Sequence, residues 1–253
     1  SLFIRVKMKN KFIYILLITL LFCDFSWSFI QYYNTMLDGD MAGGIVTNDK
    51  VKKVFEDPSG IKMLISGEQH ANPNRVFSFL AFKYYFRSVP QFLQLFNSPI
   101  DSIYMACAII KILIHAFILY FLASIITKTK SIFKIKLVFV ALLLTSLFQT
   151  YGFNNHLGII DISISYTFFY ALPIMLLLFF LYLFYFSIYL NYNNRNIISQ
   201  VILFLLSIII PFTGPIIPPT IIILSILLFL IFVFKYFKRN NKIQKKLIFL
   251  FIK

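Results

Sequence analysis

The stretch SPIDSIYMACAIIKILIHAFILYFLASIIT, residues 98 to 127, decides the fold. Beyond Asp101 apolar side chains dominate as far as Ile126, with Lys111 and His115 as the titratable intruders. About 20 residues of helix cross a bilayer core, and a run this long without period-2 alternation reads as a membrane-spanning helix. Its start is written locally. Ser98 is a capping serine, Pro99 takes the first helical position, and Asp101 supplies the acid at the third.

Similar runs recur on both sides, at about Phe12 to Ile30, Leu137 to Tyr151, Tyr166 to Leu190, Ile197 to Thr213 and Pro219 to Tyr236. Of the 253 residues 60% are hydrophobic and 13% charged, with 32 Phe and 15 Tyr, too little polar surface to enclose a soluble core of this size. The expected fold is therefore all-α: a polytopic transmembrane helical bundle with about six complete spans and an extracytoplasmic cap of short interfacial helices. Three regions follow. Residues 1 to 31 form a cytoplasmic N-terminus and the first span, 32 to 98 an extracytoplasmic loop, and 99 to 253 the remaining spans with the start of a seventh. For the first span the competing reading is a signal peptide. No small-x-small cleavage pattern is present, since Phe22, Asp24 and Phe25 occupy the relevant positions. The chain opens at Ser1, with Met8 readable as a start, and ends at Lys253 inside an apolar run, so it reads as the N-terminal part of a longer protein.

The net charge of +15 would fit a nucleic-acid binder if it formed a stripe on a soluble domain, but it does not. Four bases precede the first span, and four, one and six lie at 127 to 136, 191 to 196 and 235 to 246, all without an acid. That pattern puts these segments and the N-terminus in the cytoplasm of a cell whose inner membrane holds the protein, and excludes nucleic acid as partner. Cys23 and Cys107 both fall inside spans and read as buried thiols.

Residues 32 to 98 differ in kind. They hold six of the nine acids and seven bases. Asn48 reads as the cap of a short helix carrying Val51, Val54 and Phe55 and stopped by Pro58 and Gly60. Arg75 to Ser88, rich in Phe and Tyr with Lys83 and Arg87 four apart, reads as an interfacial helix. Inside the membrane, Asp24 and Lys111 come out at depths that differ by roughly 6 Å, which predicts that they face each other as an intramembrane ion pair or face a shared wet cavity, with His115 on the same face.

No phosphate-binding glycine loop, cysteine-pair zinc pattern, nucleophile elbow or HExxH is present. What remains is a set of acids on one side of the membrane. Asp38 and Asp40 flank Gly39 just after the first span, Asp161 follows His156 in a later loop, and Glu68 and His70 precede Arg75. This layout resembles the polyprenyl-phosphate-dependent glycosyltransferases of the GT-C class, over about residues 1 to 165. Those enzymes keep acids in the first outer loop and add a further one from a later loop. Many have two adjacent acids, whereas Gly39 separates them here. The resemblance implies transfer of a sugar from a lipid-linked donor at the extracytoplasmic face, with Asp40, Asp38 and Asp161 as the catalytic acids. Chemically, a carboxylate must deprotonate the acceptor or hold a divalent cation that does, for which Asp40 and Asp161 are the candidate ligands. Cations must hold the leaving phosphate, and Arg75, Lys83 and Arg87 lie on the same side. Membrane lipids and a lipid-linked sugar are the implied partners. The competing function classes are a transporter or flippase, and a non-catalytic membrane subunit in which the Asp-Gly-Asp turn is merely solvated.

Overall fold

The computed structural model describes residues 2–47, 49–67, 75–148, 159–189 and 197–251, and among these it is helical with no strand. The helices are α1 (Leu2–Tyr33), α2 (Met41–Ile45), α3 (Asp49–Glu56), α4 (Ile61–Ser66), α5 (Val76–Leu93), α6 (Pro99–Thr127) and α7 (Ile135–Leu144). They are followed by α8 (Ile164–Tyr166), α9 (Leu172–Leu183), α10 (Ile197–Ile209) and α11 (Ile217–Phe251). A π-helical turn, Thr167–Ala171, joins α8 to α9, and a second one, Phe184–Tyr189, extends α9.

Among the described residues three helices are long and apolar enough to cross a membrane: Lys11–Tyr33, Pro99–Thr127 and Ile164–Ser187. That points to a membrane protein. The expected third, fifth and sixth spans fall in shorter apolar helices, Ile135–Phe148, Ile197–Phe212 and Ile217–Ile231. The first of these covers about 21 Å at 1.5 Å per residue, against a hydrocarbon core of about 30 Å. Two of them tighten into 3₁₀ turns at their ends, Thr145–Phe148 and Ile210–Phe212. Pro211 lies in the second and ends the α-helical ladder there. In contrast α11 runs on through the basic stretch. After Pro219 nothing breaks the pattern, and Lys, Arg and Gln are good helix formers.

At the centre lies α6, in contact with α1, α5, α7 and α9. Its small residues Ser102, Ala106, Ala108, Ala123 and Ser124 are almost fully buried, which lets neighbouring backbones approach closely. The capping expectation at its start holds. Ser98 Oγ accepts from the Asp101 N–H at 3.2 Å, and Tyr33 Oη donates to Asp101 Oδ1 at 3.3 Å.

Between α1 and α6 the chain builds a helical cover. Val51 and Val54 of α3 are buried, as their spacing predicts, while Asn48 lies outside the described residues. Asp57 is buried at the end of α3, and its Oδ2 accepts from the Met63 N–H at 3.1 Å. Gly60 follows at φ 70°, a left-handed turn that a side chain rarely adopts. The longest helix of the cover, α5, buries Ser78, Phe82, Phe86 and Pro90 at intervals of four. Phe82 meets Phe168 edge to face at 5.0 Å, and Tyr85 Oη donates to the Ala106 carbonyl at 2.8 Å, so α5 is packed onto α6 and the π turn. Beside α5, the turn between α10 and α11 closes the assembly: Ser78 Oγ donates to the Thr213 carbonyl at 2.5 Å.

Candidate functional site

Where α1 ends, Thr35 Oγ1 donates back to the Tyr32 carbonyl at 2.7 Å and the chain leaves the helix. Asp38 then folds a turn, as Asp does when its side chain captures a backbone donor two residues on: its Oδ1 accepts from the Asp40 N–H at 3.0 Å. Its other oxygen, Oδ2, accepts from the Ser163 hydroxyl and from the Ser165 N–H at 3.3 Å. Asp161 makes the matching turn, with Oδ1 accepting from the Ser163 N–H at 2.7 Å. Ser163 also caps α8, its Oγ accepting from the Tyr166 N–H at 3.3 Å. Asp38 and Asp161 thus converge on one serine from segments more than a hundred residues apart. Burial alone would raise the Asp38 pKa, but the bonds from Ser163, Asp40 and Ser165 outweigh it and hold the carboxyl below its ordinary value.

Asp40 is different. It is exposed, precedes α2 without a side-chain capping bond, and lines a cavity of about 310 Å³. Arg75, Ser165, Tyr166 and Phe169 share that cavity. The Arg75 guanidinium lies over the Phe169 ring at 5.3 Å and the Tyr170 ring at 5.9 Å, both presented by the π turn. Its Nε is buried with no hydrogen-bond partner among the described residues. A guanidinium stacked on aromatics with an unspent donor is suited to holding an anion.

The other two expected phosphate ligands do not line this cavity. Lys83 Nζ lies over the Phe55 ring at 5.1 Å, and Arg87 Nη2 donates to the Ile45 carbonyl at 3.3 Å. Both fasten the small helices of the cover to α5. Glu68, His70 and His156 lie outside the described residues.

The expected ion pair between Asp24 and Lys111 does not form. Among the described residues the only ion pair joins Lys52 to Asp49, at 2.8 Å. Lys111, fully buried, donates to Thr35 Oγ1 at 3.4 Å and to the Ile162 carbonyl. Asp24 Oδ2 is buried without a partner among the described residues. Tyr32 Oη and His115 Nδ1 are 3.2 Å apart, and the His115 ring stacks on Phe148 at 4.1 Å. Counting depth along two helices ignored their rotation. Tyr32 stands where the pair was expected, with its ring 5.9 Å from the Lys111 ammonium.

Sequence reading missed Ser163 and Ser165, which organise the acids. The spacing Asp161-Ile162-Ser163-Ile164-Ser165 carried a signal, since an acid two residues before a serine that opens a helix is a turn-and-cap pattern. No group of three His, Cys, Asp or Glu side chains that could hold a metal occurs among the described residues, and Asp161 Oδ1 is already spent on Ser163. No protein family, curated protein or solved structure matches the chain.

Proposed function

We propose that this protein is an integral-membrane glycosyltransferase that takes a sugar from a polyprenyl-phosphate donor at the extracytoplasmic face. In this reading the three short apolar helices complete six crossings, the N-terminus is cytoplasmic, the membrane is the inner one, and α2 to α5 form the extracytoplasmic cover. One observation carries the proposal: Asp40 and Arg75 line the same aromatic-walled cavity, and among the described residues the Asp40 carboxylate caps no helix and the Arg75 Nε has no acceptor.

The chemistry follows from their charges. Asp40 takes the proton of the acceptor hydroxyl as that oxygen attacks the anomeric carbon. The bond from that carbon to the phosphate oxygen breaks, and its electron pair stays on the lipid phosphate. The Arg75 guanidinium neutralises the charge that develops there. Asp38 and one oxygen of Asp161 hold the turns beside the cavity, engaged by Ser163, Ser165 and the Asp40 N–H, and neither acid lines the cavity itself.

The test is transfer of labelled sugar from a polyprenyl-phosphate donor by the full-length protein in native membranes. Asp40→Asn should lower the rate by about 10²-fold or more, the usual contribution of a general base. Arg75→Gln should weaken the donor's hold. Undiminished transfer in Asp40→Asn removes it from the mechanism. The rival reading, a transporter or flippase, draws on the buried Lys111 and His115 of α6. It predicts movement of a solute or lipid across vesicles that survives Asp40→Asn.

A further inference from the structure

The Lys111 ammonium is fully buried, yet both of its hydrogen-bond acceptors are uncharged, Thr35 Oγ1 and the Ile162 carbonyl. Their positions explain the choice. Ile162 lies between Asp161 and Ser163, and Thr35 lies three residues before Asp38. The cation is therefore set against the two backbone segments from which both serine-bound carboxylates project. Two carboxylates drawn to one serine repel each other unless a cation stands nearby. Neither Asp24 nor the cover supplies another. Asp24 is an acid and cannot be a cation, Lys83 and Arg87 are engaged elsewhere, and Arg75 belongs to the neighbouring cavity.

We propose that Lys111 is a positioning residue, an intramembrane counter-cation that holds Asp38 and Asp161 together on Ser163 in the place a divalent ion would otherwise take. The inference goes beyond the transfer reaction and does not depend on Asp40 acting as a base. It makes the pair of acids independent of metal, and leaves Asp40 as the carboxylate free to meet a ligand.

A double-mutant cycle tests it, with thermal unfolding of the whole chain in lipid nanodiscs as the readout. Lys111→Met removes the cation and keeps the length of the side chain. Asp161→Asn removes one charge while its amide oxygen can still accept from Ser163. Alone, each variant should melt below the native protein. In the Lys111→Met background, Asp161→Asn should instead raise the midpoint, by on the order of 4 °C. A role in packing or hydrogen bonding alone gives additive losses, and additivity overturns the proposal. If Lys111→Met fails to accumulate, the amount of protein in the membrane replaces the melting point. Restoration by Asp161→Asn then supports the counter-cation, and no restoration refutes it. A second measurement uses Mn²⁺. The native chain should melt at the same temperature with and without it, whereas Lys111→Ala should gain stability from the ion. Stabilisation of the native chain by Mn²⁺ that disappears in Asp161→Asn would also overturn the proposal.

Discussion

The Asp38 carboxylate receives the Ser163 hydroxyl and the N–H groups of Asp40 and Ser165, so its lone pairs are engaged before any ligand arrives. Replacing it by Asn leaves one oxygen to accept and sets an amide N–H₂ against donors, a loss of about 1–2 kcal/mol. Because the native pKa is lowered, this contribution is fully present above the ordinary carboxyl value of about 3.9 and is lost as pH falls through the lowered one. Melting curves of the native protein and Asp38→Asn should therefore differ by a constant gap from pH 7 to about 5, which narrows below about pH 4. A gap that closes already near pH 6 would contradict the bonding described for Asp38. At this scale the acids were legible in the sequence, because Asp beside Gly after an apolar run is a local pattern. Their division of labour was not. It depends on Ser163 and Ser165, which come from a different part of the chain, and on which carboxylate those donors reach.

Among the elements, the π turn lends Phe169 to the cavity wall, presents Phe169 and Tyr170 to Arg75 and sends Phe168 into the core. Gly214 lies against it so closely that an added Cβ would stand 2.8 Å from the Phe169 carbonyl oxygen. A backbone oxygen cannot rotate aside, so Gly214→Ala should cost about 1–3 kcal/mol, read as a lower melting temperature. Gly39 is the control. A Cβ there meets nothing within 4 Å, and Gly39→Ala should change stability by less than about 0.5 kcal/mol although it lies between two acids. Helix starts with their own punctuation, such as Ser98-Pro99-Asp101, were readable from sequence, and so was the buried face of α3. The π turns and the 3₁₀ endings were not, because hydropathy reports that a segment is apolar and says nothing of how its hydrogen bonds are paired.

For the whole molecule, composition points to a membrane, and the asymmetry of Lys and Arg predicts its orientation. A cysteine placed at position 49 should react with a membrane-impermeant thiol reagent in intact cells, and one at position 130 should react only after permeabilisation. Cys107 is buried as expected, whereas Cys23, also expected to be buried, is exposed on a candidate span, where lipid rather than an aqueous reagent would meet it. The reverse pattern would move the cavity of Asp40 and Arg75 to the cytoplasmic side and end the lipid-linked donor reading. The count of crossings was less legible than their existence. An apolar run of some 15 residues can be a tilted span or a packed helix, and neighbouring contacts rather than hydropathy distinguish the two.

The Ser78 bond to Thr213 and the close approach of Gly214 to Phe169 bear on the order of assembly. A ribosome delivers Asp38, Asp40, Arg75 and the 161–170 segment well before it delivers residue 213. Until then the Ser78 hydroxyl lacks its acceptor and one flank of the π turn stays uncovered. The nascent chain therefore carries every reactive group of the cavity in an unfinished setting, and the turn between α10 and α11 acts as the closing clasp. Chains arrested before residue 210 should show Ser78, replaced by cysteine, open to alkylation, and chains long enough to expose residue 220 should protect it.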